Sequence, residues 1–222
     1  MGLPFTRNTD YSDGMILESD DLNDIQDCIV DLNTEAKIRR LQFVDTFLGQ
    51  SVNAGNWTTP TGFAEVEDDS ANGANGAVRV GDISESGSSL ATQPLALSDD
   101  FSIRARLRVT GVTSGSQHAF GLVAGANSLA FLIAGATSTT QWKVLTGTSM
   151  APAVSEPNGT GQPVNATYRK FEIRRAGTLI EMLIDDVVFH STTGLDLSTD
   201  TLSLFQASAG SIYADWVAFY AP

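Results

Sequence analysis

The chain has 222 residues and 42% hydrophobic content, enough for one good-sized core and too apolar for wholesale disorder. Its 13 Lys and Arg stand against 26 Asp and Glu, a net charge of -13. That balance argues against nucleic acid and against an anionic membrane as partners, because both demand a basic surface. The single cysteine, Cys28, excludes an intrachain disulfide and any C-x-x-C metal or redox motif.

The chain opens on MGLPFTRNTD, which lacks a basic region followed by an apolar run, so no secretory leader is expected. No stretch reaches about 18 consecutive apolar residues, so no membrane helix is expected. The sequons at Asn56, Asn158 and Asn165 then carry no meaning as glycosylation sites. Residues 1–17 are turn-rich and aperiodic.

A helix is predicted over DLNDIQDCIVDLNTEA, residues 21–36. Ser19 is its cap, acids fill its first turn, and Lys37, Arg39 and Arg40 follow its end, which suits the helix dipole. Leu22, Ile25, Ile29, Leu32 and Ala36 form an a/d seam about two heptads long. Such a short helix is marginal alone and must dock on something. The bland alternative is its own β domain. The narrow seam with polar flanks favours self-association or attachment to a larger assembly.

After residue 48 the period changes. GQSVNAGNWTTPTG reads as a linker and DDSANGANGA as a turn cluster. FSIRARLRVT alternates strictly: Phe101, Ile103, Ala105, Leu107 and Val109 on one side, Ser102, Arg104, Arg106, Arg108 and Thr110 on the other. That is a half-buried antiparallel strand. AFGLVAG and LAFLIAG are apolar on both sides and read as central strands covered on both faces. With FAEVE, AVRVG, QWKVLTG, YRKFEIRR, TLIEMLIDD, VVFHS, LSLFQAS and IYADWVAFY the count reaches about eleven short strands, the pattern of a sandwich or barrel.

YRKFEIRRAGTLIEMLIDDVVFHS and the closing IYADWVAFY carry a resemblance. Strand, turn at Ala176-Gly177, strand ending in Asp185-Asp186, short strand, then a last strand holding Asp215 resembles the concanavalin A-like lectin/glucanase (laminin-G-like) superfamily. The resemblance covers roughly residues 55–222 and implies a mainly β chain: an antiparallel jelly-roll β-sandwich preceded by one N-terminal helix. It implies sugar binding on or beside the concave face as an expectation, since function belongs to sites and not folds. YSDGMILESDDLNDIQDCIVDL is similar to the opening of bacteriophage fibre and tail-appendage proteins, with Gly14, Met15, Ile16, Ser19, Asp21, Leu22, Asn23 and Ile25 matching. The two resemblances imply residues 1–48 as an attachment and oligomerisation segment and 49–222 as an outward-facing sandwich. The expected protein is a virion structural subunit (fibre, spike or decoration). It would be a homotrimer, joined to other virion proteins by its N-terminus, and would adsorb host-surface polysaccharide.

Glucanases of this superfamily carry E-x-D-x-x-E on one strand face. The nearest string here is Glu65, Glu67, Asp69, with the wrong middle residue and a misplaced third, so an edge strand with solvated acids is the preferred reading and no catalytic residue is assigned. His118 and His190 stand without a nucleophile motif. No metal or cofactor is assigned; calcium at Asp68 and Asp69 is the weaker reading beside a plain turn cluster. Candidate sugar contacts are Trp57, Trp142 and the row Arg104, Arg106, Arg108. Each has an alternative: core for Trp142, a plug at the junction with the helix for Trp57, and, for the arginines, cross-strand pairing with acids such as Glu172 or a subunit contact. Trp216, with apolar neighbours on both sides, is expected in the core. The competing functions are a purely stabilising decoration, a bacterial carbohydrate-binding module and a glycoside hydrolase using Glu65 and Glu67.

Overall fold

The computed structural model describes residues 40–49, 51–82, 87–95, 97, 100–113, 116–122, 128–134, 142–147, 153–155, 166–197, 201–207 and 210–222. The expected helix, with Leu22, Ile25, Ile29, Leu32 and Ala36, lies outside the described residues.

In chain order the strands are β1 (Arg40–Asp45), β2 (Ala64–Asp69), β3 (Ala74–Val80), β4 (Ser88–Ala91), β5 (Asp100–Thr110), β6 (Gln117–Leu122) and β7 (Ser128–Ala134). There follow β8 (Lys143–Gly147), β9 (Ala153–Ser155), β10 (Arg169–Ala176), β11 (Leu179–Ile184), β12 (Val187–Thr193), β13 (Leu202–Ala207) and β14 (Ser211–Ala221). They form two antiparallel sheets. One runs β12-β11-β10-β5-β14-β3-β2 with β1 also beside β14; the other runs β4-β13-β6-β7-β8-β9. This is the expected jelly-roll sandwich.

The alternation read in FSIRARLRVT sets the layers. Phe101, Ile103, Ala105, Leu107 and Val109 of β5 are all buried in the core, while Arg104 and Arg106 are half-buried on the opposite side. From the other sheet come Phe120, Leu122, Leu129, Phe131 and Ile133. Phe131 joins the layers: its ring centroid lies 5.0 Å from Phe171 of β10 and 5.8 Å from Phe189 of β12. Such aromatic pairs add to the stabilisation from apolar burial itself.

The sandwich takes in Arg40–Asp45, ahead of the expected boundary at residue 49, because β1 adds to one edge of β14. Ile212 to Ala214 pair with β3 on that edge and Val217 to Ala221 with β1, so two strands divide one long neighbour. Asp45 fastens the chain just beyond β1: its carboxylate accepts from the Phe47 backbone N–H at 3.0 Å and from Trp57 Nε1 at 2.8 Å. Phe47 sits at φ 50°, a left-handed conformation that costs a bulky residue energy. A Cβ at Gly76 would collide with the Phe47 carbonyl oxygen, so glycine is required there. Between β11 and β12 the two-residue loop is Asp185-Asp186, both at positive φ, the geometry of a type I′ hairpin turn.

Candidate functional site

The outward side of the eight-stranded sheet carries the chemistry. Its three arginine positions fall where the sequence placed them, and each meets a carboxylate. Arg108 donates to both oxygens of Asp69, at 2.6 and 2.7 Å, with both residues buried. Arg106 donates to Asp215 at 2.5 Å and to the Gly73 carbonyl at 3.0 Å. Arg104 lies 3.2 Å from the buried Glu172, its directly opposite cross-strand partner. Cross-strand pairing is therefore what this row does first.

Tyrosines interleave with the cations. The Arg108 guanidinium sits 3.7 Å from the Tyr213 ring centroid and 5.5 Å from that of Tyr168; Arg106 lies 4.7 Å from Tyr168 and Arg104 lies 5.2 Å from Tyr220. Tyr168 donates its hydroxyl to Asp69 at 2.6 Å, and Asn72 donates to the same carboxylate at 2.6 Å. Burial pushes the Asp69 carboxyl upward, but hydrogen bonds from Arg108, Tyr168 and Asn72 outweigh it and hold the group below the usual aspartate range. Burial, and then the Asp69 carboxylate, push the Tyr168 phenol up. The Asp69 oxygens are thus occupied by protein donors, and Asp68 accepts from the Ser70 backbone N–H at 2.8 Å. A calcium ion there would have to displace a guanidinium. Among the described residues no group of three or more His, Cys, Asp or Glu could hold a metal.

The three tryptophans exchange the roles expected of them. Trp57 and Trp142 are 1% and 2% exposed, which leaves neither ring a face for a sugar. Trp142 packs edge-on against Phe171 at 4.9 Å, and Trp57 lies beside Phe43 and Phe47. Trp142 takes the core alternative weighed for it, and Trp57 is buried against residues of the sandwich. Trp216, expected in the core, is half-buried on the charged face. The cause is a β-bulge. Pairing of β14 with β5 shifts between Ala214 and Trp216, leaving Asp215 as the extra residue. Before the bulge Ile212 and Ala214 enter the core; after it Val217, Phe219 and Ala221 do. One inserted residue moves every later side chain to the other face. Trp216, Ala218 and Tyr220 therefore project outward. No alternation rule applied to IYADWVAFY detects this; the only sign is Asp215, a charge in an otherwise apolar strand.

Register builds the surroundings. Ala218 is flanked by Arg104 of β5 on one side and Val44 of β1 on the other. Along β14 it lies between Trp216 and Tyr220, about 13 Å apart at ordinary strand rise. Trp216 and Tyr220 are half-buried on this face, on either side of the buried Ala218, with Arg104 on one flank and Val44, 48% exposed, on the other. Leu41 (51%) and Leu48 (68%) are exposed as well. A depression of 290 Å³ lies among Phe47, Leu48, Gly49, Val66, Glu67, Asp68, Asn75 and Gly76.

Glu65 and Glu67 both face Arg79, at 3.9 and 3.5 Å. Burial raises the Glu67 carboxyl, with Arg79 opposing.

No family model and no curated protein matches the sequence. Solved structures match in fold. The Emp47p carbohydrate recognition domain aligns at 14% identity over 82% of this chain and 97% of that one, with a TM-score of 0.62. An endo-beta-1,3-glucanase from Pyrococcus furiosus aligns at 14% identity over 82% of this chain and 94% of that one, TM-score 0.59. A laminarinase from Flavobacterium sp. UMI-01 gives 10% identity over 82% and 100%, TM-score 0.57. The chain thus shares the jelly-roll fold of these lectin and glucanase domains, and identities this low speak to the fold alone.

Proposed function

We propose that this chain is a non-enzymatic structural subunit of a bacteriophage particle, a fibre, spike or decoration, that binds host-surface glycan through the outer face of its eight-stranded sheet around Trp216 and Tyr220. Residues up to about 39 attach it to other virion proteins and, through the seam from Leu22 to Ala36, assemble it as a trimer. The sandwich from Arg40 onward faces out. The observation that carries the binding reading is the pair of half-buried aromatic side chains, Trp216 and Tyr220, beside Arg104 on the open face of a lectin-type sandwich. Aromatic faces stack on pyranose rings and guanidinium groups take their polar edges. The fold neighbours are in keeping with it, one being a carbohydrate recognition domain and others glucanases. Three linked copies make individually weak sugar contacts effective.

Catalysis is the competing reading, because glucanases share the fold. It would rest on Glu65 and Glu67, and these face one guanidinium, Arg79. A glycan array probed with the full chain and with Trp216→Ala tests the proposal. Binding by the first and its loss in the second is expected; no hit for either leaves a purely stabilising decoration. Light scattering on the full chain against residues 39–222 tests assembly, with a trimer expected only for the former. Reducing-sugar release that disappears in Glu65→Gln would replace binding by hydrolysis.

A further inference from the structure

We infer that the outward side of β1, at Leu41 and Val44, is a subunit contact occupied by a second copy of this chain, so that the sandwich itself takes part in assembly. This rests on the trimer reading above and deepens it. A bulge builds the patch. Pairing of β1 with β14 shifts between Leu41 and Phe43, so Leu41 and Val44 lie opposite Tyr220 and Ala218 on the outward side, while Phe43 packs against Trp57 and Phe219. Leu41 and Val44 both remain exposed. Elsewhere the same side is occupied by ion pairs: Arg104 with Glu172, Arg106 with Asp215, Arg174 with Glu181. Asp45, the one acid of β1, is instead held by Trp57 and the Phe47 backbone N–H. Among the described residues β1 pairs with β14 alone, which leaves its other edge open. The charged sheet thus has an apolar, open margin at β1.

The chain ahead of the patch selects the occupant. Residues 1–39 lie outside the described residues and end on Arg40, the first residue of β1. From Ala36, the last position of the expected seam, the backbone to Arg40 spans at most about 14 Å. In a trimer joined through that seam, three β1 strands therefore start close to one axis, whatever the orientation of the sandwiches. The seam is too short to hold the copies unaided, and each copy brings a net charge of -13, so neighbours repel. A contact between such copies gains from apolar surface and loses from carboxylates, and the outward side of β1 offers the first without the second. A second exposed apolar pair, Val187 and Val188 of β12, lacks this placement. β11, β10, β5 and β14 lie between β12 and β1, which at ordinary strand spacing is roughly 24 Å. That pair serves as the internal control.

The experiment is a dilution series of the full chain by light scattering, with the double variant Leu41→Glu, Val44→Glu and the single variant Val188→Glu beside the parent. The parent should be a trimer. The double variant should need at least about tenfold higher concentration to assemble, because it replaces buried apolar surface by like charges. Val188→Glu should match the parent. Cross-linking covers the case in which the double variant fails to fold. In a Cys28→Ser background, Leu41→Cys treated with a short bismaleimide should give covalently joined copies, and Val188→Cys should stay monomeric. A parent trimer indifferent to the double substitution overturns the inference while the trimer reading stands, and so does equal cross-linking from positions 41 and 188. A parent that is monomeric at every concentration removes the trimer reading and the inference together. The glycan reading is tested apart from both, by Trp216→Ala on the array. Unchanged circular dichroism in the glutamate variants assigns lost assembly to the contact and not to the fold.

Discussion

The two sheets share a core and present opposite chemistry on their far sides. None of the strands β4, β6, β7, β8, β9 and β13 contains an Asp or Glu. On that sheet's outer side Ala119, Ser128, Ala130, Lys143 and Ser203 are all buried. The eight-stranded sheet instead carries Glu65, Glu67, Asp69, Glu172, Glu181 and Asp215, each in an ion pair with an arginine. Where both faces of a sheet are withdrawn from water, a carboxylate would have to be neutralised or matched by a buried cation, and apart from Lys143 these positions hold alanine and serine. Where one face meets solvent, charges are tolerated and organise themselves in cross-strand rows.

Substitutions can break this contrast. The largest effect is expected from moving a charge to the wrong sheet: Ala130→Asp would bury a lone carboxylate and cost several kcal/mol, seen as insolubility or loss of the cooperative urea transition. Next comes Asp69→Ala, which strands the buried Arg108 and removes the acceptor of Tyr168 and Asn72; a loss of about 3–5 kcal/mol in urea unfolding is expected. The same carboxylate sets an acid limit. Its folded pKa lies below the unfolded value of about 3.9, so its contribution is complete above that value and disappears as pH falls through the lower folded one. Urea midpoints between pH 5 and pH 2 should fall more steeply for the parent than for Asp69→Asn. Trp216→Ala should change stability by about 1 kcal/mol or less while abolishing glycan retention, which separates a surface ring from a core one. The smallest effect belongs to Arg174→Ala, whose pair with Glu181 at 2.8 Å is 39% and 23% exposed at its two ends; roughly 0.2–1 kcal/mol is expected.

Most of this architecture can be read in the amino-acid order, and the reasons for the exceptions are specific. Period-two patterns are local, so β5 is legible residue by residue, and the apolar runs within β6 and β7 are legible too. The Glu172 pairing with Arg104 follows from antiparallel register and an evident acid. β1 is not legible, since RLQFVD is short, is preceded by a helical pattern and owes its place to a long-range partner, β14. Alternation misplaces Trp216 because it cannot register a bulge. The Asp69 knot escapes a local reading because its donors, Arg108, Asn72 and Tyr168, lie up to 99 positions from it in sequence. An acidic turn cluster looks the same whether its carboxylates face water or close a buried ion pair.

The antiparallel match of β1 with β14 sets Arg40 opposite Ala221. Paired backbones of this kind are about 5 Å apart, so the sandwich begins and finishes at one spot. A few glycines bridging those positions would close the backbone into a loop without disturbing either sheet. Reopening it at the Gly177-Thr178 turn would give a circular permutant with the same layers and its loose ends at a hairpin tip.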